Sequence, residues 1–225
     1  MKAKKVKRAL KMHNVNNLYH VNTVVTSLTF LKNKGLMSRE YVENMGLPQS
    51  PQESDEIDKD WKIYNDVFFD SVDIHKRRRN INYYGPVTFV YSVDLLDSLN
   101  ECEINVTKDN PIHWKKGNKT EDNYFTDADE LENGFTKGAF YQHITVKNIE
   151  KVPFNYLEKI IIENPGEDKK EYLDNAVTAI KNVIEEKQLN ILLEIRNCTD
   201  SCNCLNTYNS HQDGFTYHRF KTSLN

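Results

Sequence analysis

A chain of 225 residues with 38% hydrophobic and 11% aromatic side chains carries enough apolar surface for one folded domain, and too much for wholesale disorder. Thirty Lys and Arg against 33 Asp and Glu leave a formal net charge of −3, so any nucleic-acid binding must be local rather than spread over the whole surface. No run of about 18 apolar residues could span a membrane, and the basic start lacks the apolar stretch of a signal peptide. Cys198, Cys202 and Cys204 crowd together far from Cys102, a poor disulfide framework, so the expectation is a cytoplasmic protein with no membrane partner.

Lys2, Lys4, Lys5, Lys7, Arg8 and Lys11 make a basic arm over residues 1–16, read either as a solvated helix face or as a phosphate-contacting arm. Residues 18–21 read as a short strand, with Asn22 or Thr23 capping a helix through Val24, Leu28 and Leu31 that Gly35 stops. Residues 47–60, with Pro48, Pro51 and a run of acids, read as an exposed loop with little structure of its own. The β-branched and aromatic stretch 84–92 predicts a buried strand, 99–107 a weaker one, and 110–123 a polar loop.

Two more strands are expected at 140–146 and 157–162, the latter ended by Pro165 and Gly166. Leu173, Val177, Ile180 and Ile184 place one apolar face on a helix over 170–187. A last strand at 191–195 precedes a polar tail over 197–225, so the main domain runs over 17–196, and no internal repeat is present.

Four constellations stand out as chemistry. His20, Asn22 and Thr23 sit at a strand-to-helix junction, where free N–H groups suit an anionic or carbonyl-bearing ligand; a packed core histidine is the alternative. His75, Lys76, Arg77, Arg78 and Arg79 precede Asn80, Asn82, Tyr83 and Tyr84, pairing guanidinium forks that clamp pyrophosphate with rings that stack on a base, or else forming a solvated turn. In the Tyr141-Gln142-His143 stretch, His143 is a candidate general base or a buried, satisfied residue. Cys198, Cys202 and Cys204 with His211 and His218 could supply four metal ligands, although the single residue between Cys202 and Cys204 departs from usual zinc spacings, and free thiols are the alternative.

Taken in order, the stretch 18–23, the helix running into Lys34-Gly35-Leu36-Met37-Ser38, the segment 74–79 leading to the aromatic strand 84–91, and the pieces at 141–146, 152–154 and 157–162 resemble DarT-type ADP-ribosyltransferases. The resemblance covers roughly residues 18–163 and implies an α+β fold with a split, mostly antiparallel sheet and flanking helices. It implies an enzyme that uses NAD as co-substrate and transfers ADP-ribose to a base of RNA or single-stranded DNA, as a toxin or phage-defence effector with an antitoxin protein as possible partner. His20 with Asn22 or Thr23 would then bind the nicotinamide and its ribose, an Arg of the 77–79 run, Arg78 first and Arg77 as a further cofactor contact, would hold the phosphates and stabilise the leaving charge as a catalytic residue, and Tyr84 would stack.

The family's catalytic Glu belongs in the strand that here reads Tyr141-Gln142-His143. Gln142 in that place could bind a ribose hydroxyl but not take a proton, leaving His143, or Glu130, Glu132 or Glu150, as base. A protein-directed transferase and a non-catalytic nucleotide- or RNA-binding module are the competing expectations.

Overall fold

A computed structural model describes residues 1–115, 117, 119–199 and 201–224. Residues 116 and 118 of the expected polar loop, and 200 and 225 of the expected tail, lie outside the described residues. In chain order the elements are α1 (Ala3–Met12), β1 (Asn17–Asn22), α2 (Val24–Lys32), β2 (Gly35–Met37), α3 (Arg39–Asn44), α4 (Asp55–Asp60), β3 (Val67–Phe69), α5 (Ile74–Arg78), β4 (Val87–Ser92) and α6 (Leu95–Ser98). They continue with β5 (Ile104–Val106), α7 (Ala128–Gly134), β6 (Ile144–Val146), β7 (Lys151–Pro153), β8 (Leu157–Glu163), α8 (Lys170–Glu186), β9 (Leu192–Arg196), α9 (Cys204–Ser210) and α10 (Asp213–Phe220), with short 3₁₀ turns between them.

The sheet is split, as the α+β expectation required. One half runs β1-β4-β8-β9, antiparallel except for the parallel pair β8–β9, and the other runs β3-β6-β5, wholly antiparallel. β4 is central because Val87, Thr88, Phe89, Val90 and Tyr91 are all buried, which suits a strand covered on both faces. The halves meet where Tyr19 of β1 and Asp70, just past β3, exchange backbone hydrogen bonds of 3.0 and 2.8 Å.

Every residue of helix α2 from Val24 to Leu31 is buried, the hydroxyl-bearing Thr26, Ser27 and Thr29 included, so it is a core helix rather than a surface one. It ends through Asn33 and the left-handed Lys34 (φ 57°), and Gly35 opens β2 rather than stopping the helix. On α8 the buried residues are Leu173, Ala176, Ile180 and Val183, with Val177 and Ile184 packed at the margin, so the apolar stripe is broader than the expected one. The strand expected over 140–146 is confined to β6, because residues 138–143 form a turn in which Gln142 bonds back to the end of α7.

Three segments are more ordered than their composition predicts. The basic start is helix α1, anchored through buried Ala3, Val6, Ala9 and Leu10, while Lys4, Lys5, Arg8 and Lys11 face solvent. Segment 47–60 carries α4 and is tied to α2 by threonines three residues apart: Thr23 Oγ1 donates to Ser50 Oγ (2.9 Å), Thr26 Oγ1 accepts from Ser50 N (2.9 Å), and Thr29 Oγ1 donates to Pro48 O (2.6 Å). Past residue 197, α9 and α10 bury Cys204, Tyr208 and Phe220 in the main core, which a composition rich in Asn, Thr and Ser did not signal. Among the described residues no helix is long and apolar enough to cross a membrane.

Gly85 lies against the β1–α2 junction with φ +157°, and a Cβ there would come within 2.0 Å of the Asn22 carbonyl carbon and oxygen. Backbone atoms cannot step aside as a side-chain tip would, so Gly85→Ala is expected to cost on the order of 3 kcal/mol or more, read as a lowered urea midpoint at unchanged slope. On α4, burial raises the Asp58 carboxyl to about 6, against a hydrogen bond from Ser54 and the nearby Arg39 guanidinium, which oppose the rise. The folded state therefore holds a proton that the unfolded state gives up near pH 4, so stability falls as pH rises from about 4 through 6. Asp58→Asn is expected to flatten that slope and raise the melting temperature at pH 7, and an unchanged profile between pH 4 and 7 would refute the assignment.

Candidate functional site

A cleft enclosing about 910 Å³ of space, open solvent at its mouth included, lies beside the junction of the two half-sheets. Its walls come from β1, from Phe30 near the end of α2, from Arg39 at the head of α3, from segment 47–60, from β3 and Asp70, and from Tyr84, Asn110 and His143. Most of the lining is apolar, with charged and hydrogen-bonding groups at separate points.

His20 stands on β1 among the rings of Phe30, Phe69 and Phe89, at centroid distances of 5.8, 6.0 and 6.4 Å. Burial lowers its pKa, so the ring is neutral near pH 7. Nδ1–H donates to Phe68 O at 2.9 Å, which fixes the tautomer and leaves Nε2 as an acceptor, buried and without a hydrogen-bond partner among the described residues. Asn22 is also buried, and its Oδ1 accepts from Thr23 N at 3.0 Å. Thr23 caps α2 by backbone geometry alone and spends its hydroxyl on Ser50 rather than on the cleft.

Arg39 has no counterpart in the sequence reading. Its Nη2 donates to Ser50 O (2.9 Å) and to Asp55 Oδ2 (2.8 Å), and its Nε stands 2.5 Å from Asp55 Oδ1. Nη1 is buried with no hydrogen-bond partner among the described residues. A guanidinium held on one edge with a free nitrogen on a cleft wall is a pre-oriented donor for an anion.

The same cleft holds a His–Asp pair. His143 Nδ1 is 3.1 Å from Asp70 Oδ1, and Asn110 Nδ2 is 3.3 Å from His143 Nε2. An ionised Asp70 only accepts, so Nδ1 carries the proton and Nε2 presents its lone pair, with the long contact from Asn110 easily exchanged for a ligand atom. Asp70 is placed by the backbone bridge to Tyr19, and His143 by the mutual bonds of its N with Thr107 Oγ1 (2.8 Å) and its O with Thr107 N (2.9 Å).

The structure thus brings His20, Asn22, Tyr84 and His143 to one cleft, with Tyr84 half-exposed at its edge. Gln142 is elsewhere: it is buried, its Oε1 accepts from Thr136 N (2.7 Å) and its Nε2 donates to Gly134 O (3.1 Å), so it closes a turn. Arg77 and Arg78 do not line the cleft either; both are exposed on α5, one guanidinium over the Phe140 ring at 5.7 Å and the other over Tyr83 at 5.3 Å. Those two rings are exposed as well, so the helix presents a patch of alternating arginines and aromatics. Of the other acids considered as bases, Glu130 is tied to Lys108 (2.6 Å), Glu132 faces Arg8 (3.8 Å), and neither these nor Glu150 is among the cleft residues.

The three clustered cysteines meet one another, but the histidine beside them is His75, not His211. His211 Nδ1 is engaged with Thr207 O at 2.7 Å, and its ring stacks on Phe215 at 4.3 Å.

No protein-family profile matches the chain. No curated protein matches it either. Among solved structures, it is similar to Thermus sp. 2.9 DarT in complex with ADP-ribosylated ssDNA, at 10% identity and a TM-score of 0.52, over 81% of this chain and 95% of that one. Thermus sp. 2.9 DarT in complex with NAD+ and with carba-NAD+ aligns at 12% identity with TM-scores of 0.46 and 0.44, over 81% of this chain and 96% of those. The first of these likenesses establishes the fold: a DarT-like ADP-ribosyltransferase architecture, mixed helix and strand with a mostly antiparallel sheet.

Proposed function

We propose that the chain is an NAD-dependent ADP-ribosyltransferase whose acceptor is a base of single-stranded DNA. The observation that carries this reading is the convergence, in one cleft of a DarT-like fold, of the neutral His20, the half-free Arg39 guanidinium and the Asp70–His143 pair. Single-stranded DNA is favoured over RNA because the similar Thermus structure holds ADP-ribosylated ssDNA, and because a base must leave a duplex before its edge can react.

In this reading His20 Nε2 accepts from the nicotinamide ribose or carboxamide, Arg39 Nη1 donates to the pyrophosphate, and Tyr84 stacks at the mouth. The bond from C1′ of the ribose to the nicotinamide nitrogen breaks, its electron pair neutralises the departing ring, and an oxocarbenium-like centre remains. A nitrogen of the acceptor base bonds to C1′, and its proton passes to His143 Nε2, whose imidazolium Asp70 stabilises. The pair therefore does the work expected of a strand carboxylate, which the sequence lacks at Gln142. The α5 patch of Arg77, Arg78, Tyr83 and Phe140 lies outside the cleft and suits the strand flanking the reactive base, since guanidinium and ring faces hold backbone and bases without sequence preference. A transferase of this kind acts as a toxin or defence effector held in check by an antitoxin protein, and growth arrest on expression that His143→Ala relieves is the cellular counterpart.

The direct test is purified protein incubated with labelled NAD and separate single-stranded DNA, RNA and protein pools. Label is expected on DNA; label only on RNA or only on protein reassigns the acceptor, and NAD binding without transfer to any pool supports a non-catalytic module. His143→Ala is expected to slow transfer by about 10²–10⁴-fold with folding retained, the usual worth of a general base. Arg39→Lys keeps the charge beside Asp55 but removes the free fork nitrogen, and is expected to raise the KM for NAD by about tenfold or more while changing kcat less.

A further inference from the structure

We infer that the chain holds a structural zinc ion, bound by His75, Cys198, Cys202 and Cys204. One donor atom from each of these four side chains lies within 4.8 Å of every other, His75 and Cys204 being buried and the remaining two half-buried. His75 Nε2 is 3.2 Å from Cys198 Sγ and 3.4 Å from Cys202 Sγ. A tetrahedral zinc with bonds of about 2.3 Å to sulfur and about 2.0–2.1 Å to nitrogen spaces its ligand atoms about 3.5–3.8 Å apart, so separations of at most 4.8 Å need to change by about 1 Å or less to hold it.

The surroundings of His75 point the same way. Its Nδ1 is 2.6 Å from Glu163 Oε1, and Glu163 is buried at the end of β8, where Oε2 accepts from Tyr208 Oη at 2.6 Å and Arg219 stands 3.8 Å away. A carboxylate that only accepts fixes the proton on Nδ1 and turns the Nε2 lone pair toward the three sulfurs, the arrangement that orients metal-bound histidines. An odd number of cysteines around an imidazole is a poor disulfide framework. Three thiolates and one imidazole form a closed set, which favours a structural rather than a catalytic ion. Binding releases the thiol protons to solvent as the sulfurs become thiolates, with no change of oxidation state.

The ligands also explain what the ion would do. His75 comes from α5 and the cysteines from the segment entering α9, more than 120 residues later, so one ion fastens the chain's C-terminal part to the helix that presents Arg77, Arg78 and Arg79 outward. The junction is otherwise polar: Asn203 N donates to Arg79 O (2.7 Å) and Thr207 Oγ1 to Asn80 Oδ1 (2.8 Å).

The full chain, purified under reducing conditions without chelator, is expected to carry one zinc per molecule by elemental analysis. Replacement by Co(II) is expected to give visible d–d bands and the ultraviolet charge-transfer intensity of three thiolates. His75→Ala and Cys202→Ser are expected to lower the zinc content by at least half, His211→Ala to leave it unchanged, and chelation to speed chymotryptic cleavage after Leu205 and Tyr208. If the cysteine variants are insoluble, the Co(II) spectrum of the unaltered chain decides. The inference is overturned by reduced protein that carries no zinc and develops no charge-transfer bands with Co(II), by iron in place of zinc, or by zinc that both variants retain.

Discussion

The architecture hinges on one reciprocal pair of backbone hydrogen bonds, between Tyr19 and Asp70. Hydrophobic contacts between the two half-sheets fix distance but not register; this pair, with the bond from His20 Nδ1 to Phe68 O beside it, sets the register. With it, the residue after Tyr19 and the side chain of Asp70 are set at the floor of one cleft, and β6 then delivers His143 to Asp70 because it pairs with β3 in a fixed register. The placement of His20, Asp70 and His143 in one cleft thus rests on a strand bridge two residues wide, where the sheet splits.

Around that floor, polar ties carry segments that composition alone would leave loose. The hydroxyl stripe Thr23, Thr26 and Thr29 draws residues 48–50 onto the buried helix α2, and Arg39 pulls Asp55 and the head of α4 into place. On the far side, Arg219 of α10 donates to the carbonyls of Tyr83 (2.9 Å) and Asn82 (2.5 Å), so the C-terminal helix shapes the turn that carries Tyr84 to the cleft. Glu163 gathers Tyr208, His75 and Arg219 at the end of β8, which makes the last 30 residues part of the same core rather than an appendage.

In the proposed reaction an Asp70–His143 pair takes the place of a strand carboxylate, and that choice has a physical logic. An imidazole takes a proton near neutral pH more readily than a carboxylate does, and a carboxylate behind it limits the cost of the resulting charge. Gln142, one residue earlier, looked like the replacement because strand alternation was assumed to extend to residue 140. The turn at 138–143 breaks that alternation and sends Gln142 into a backbone-capping role.

By itself the sequence determined the parts governed by local periodicity and burial: strand β1 and helix α2, the buried strand β4, strand β8, the amphipathic helix α8, and His20 and His143 as residues worth singling out. The family resemblance, carried by the order of short motifs, supplied the split antiparallel sheet. What tertiary structure alone decided are pairings between residues far apart in the chain: Arg39 with Asp55 over the cleft, Asp70 behind His143, and His75 rather than His211 beside the three cysteines. Arg78 looked like a clamp because charge type is visible in a sequence while the direction of a side chain on a five-residue helix is not. Spacing encodes which face of an element a residue occupies; which other element covers that face follows only from packing the whole chain.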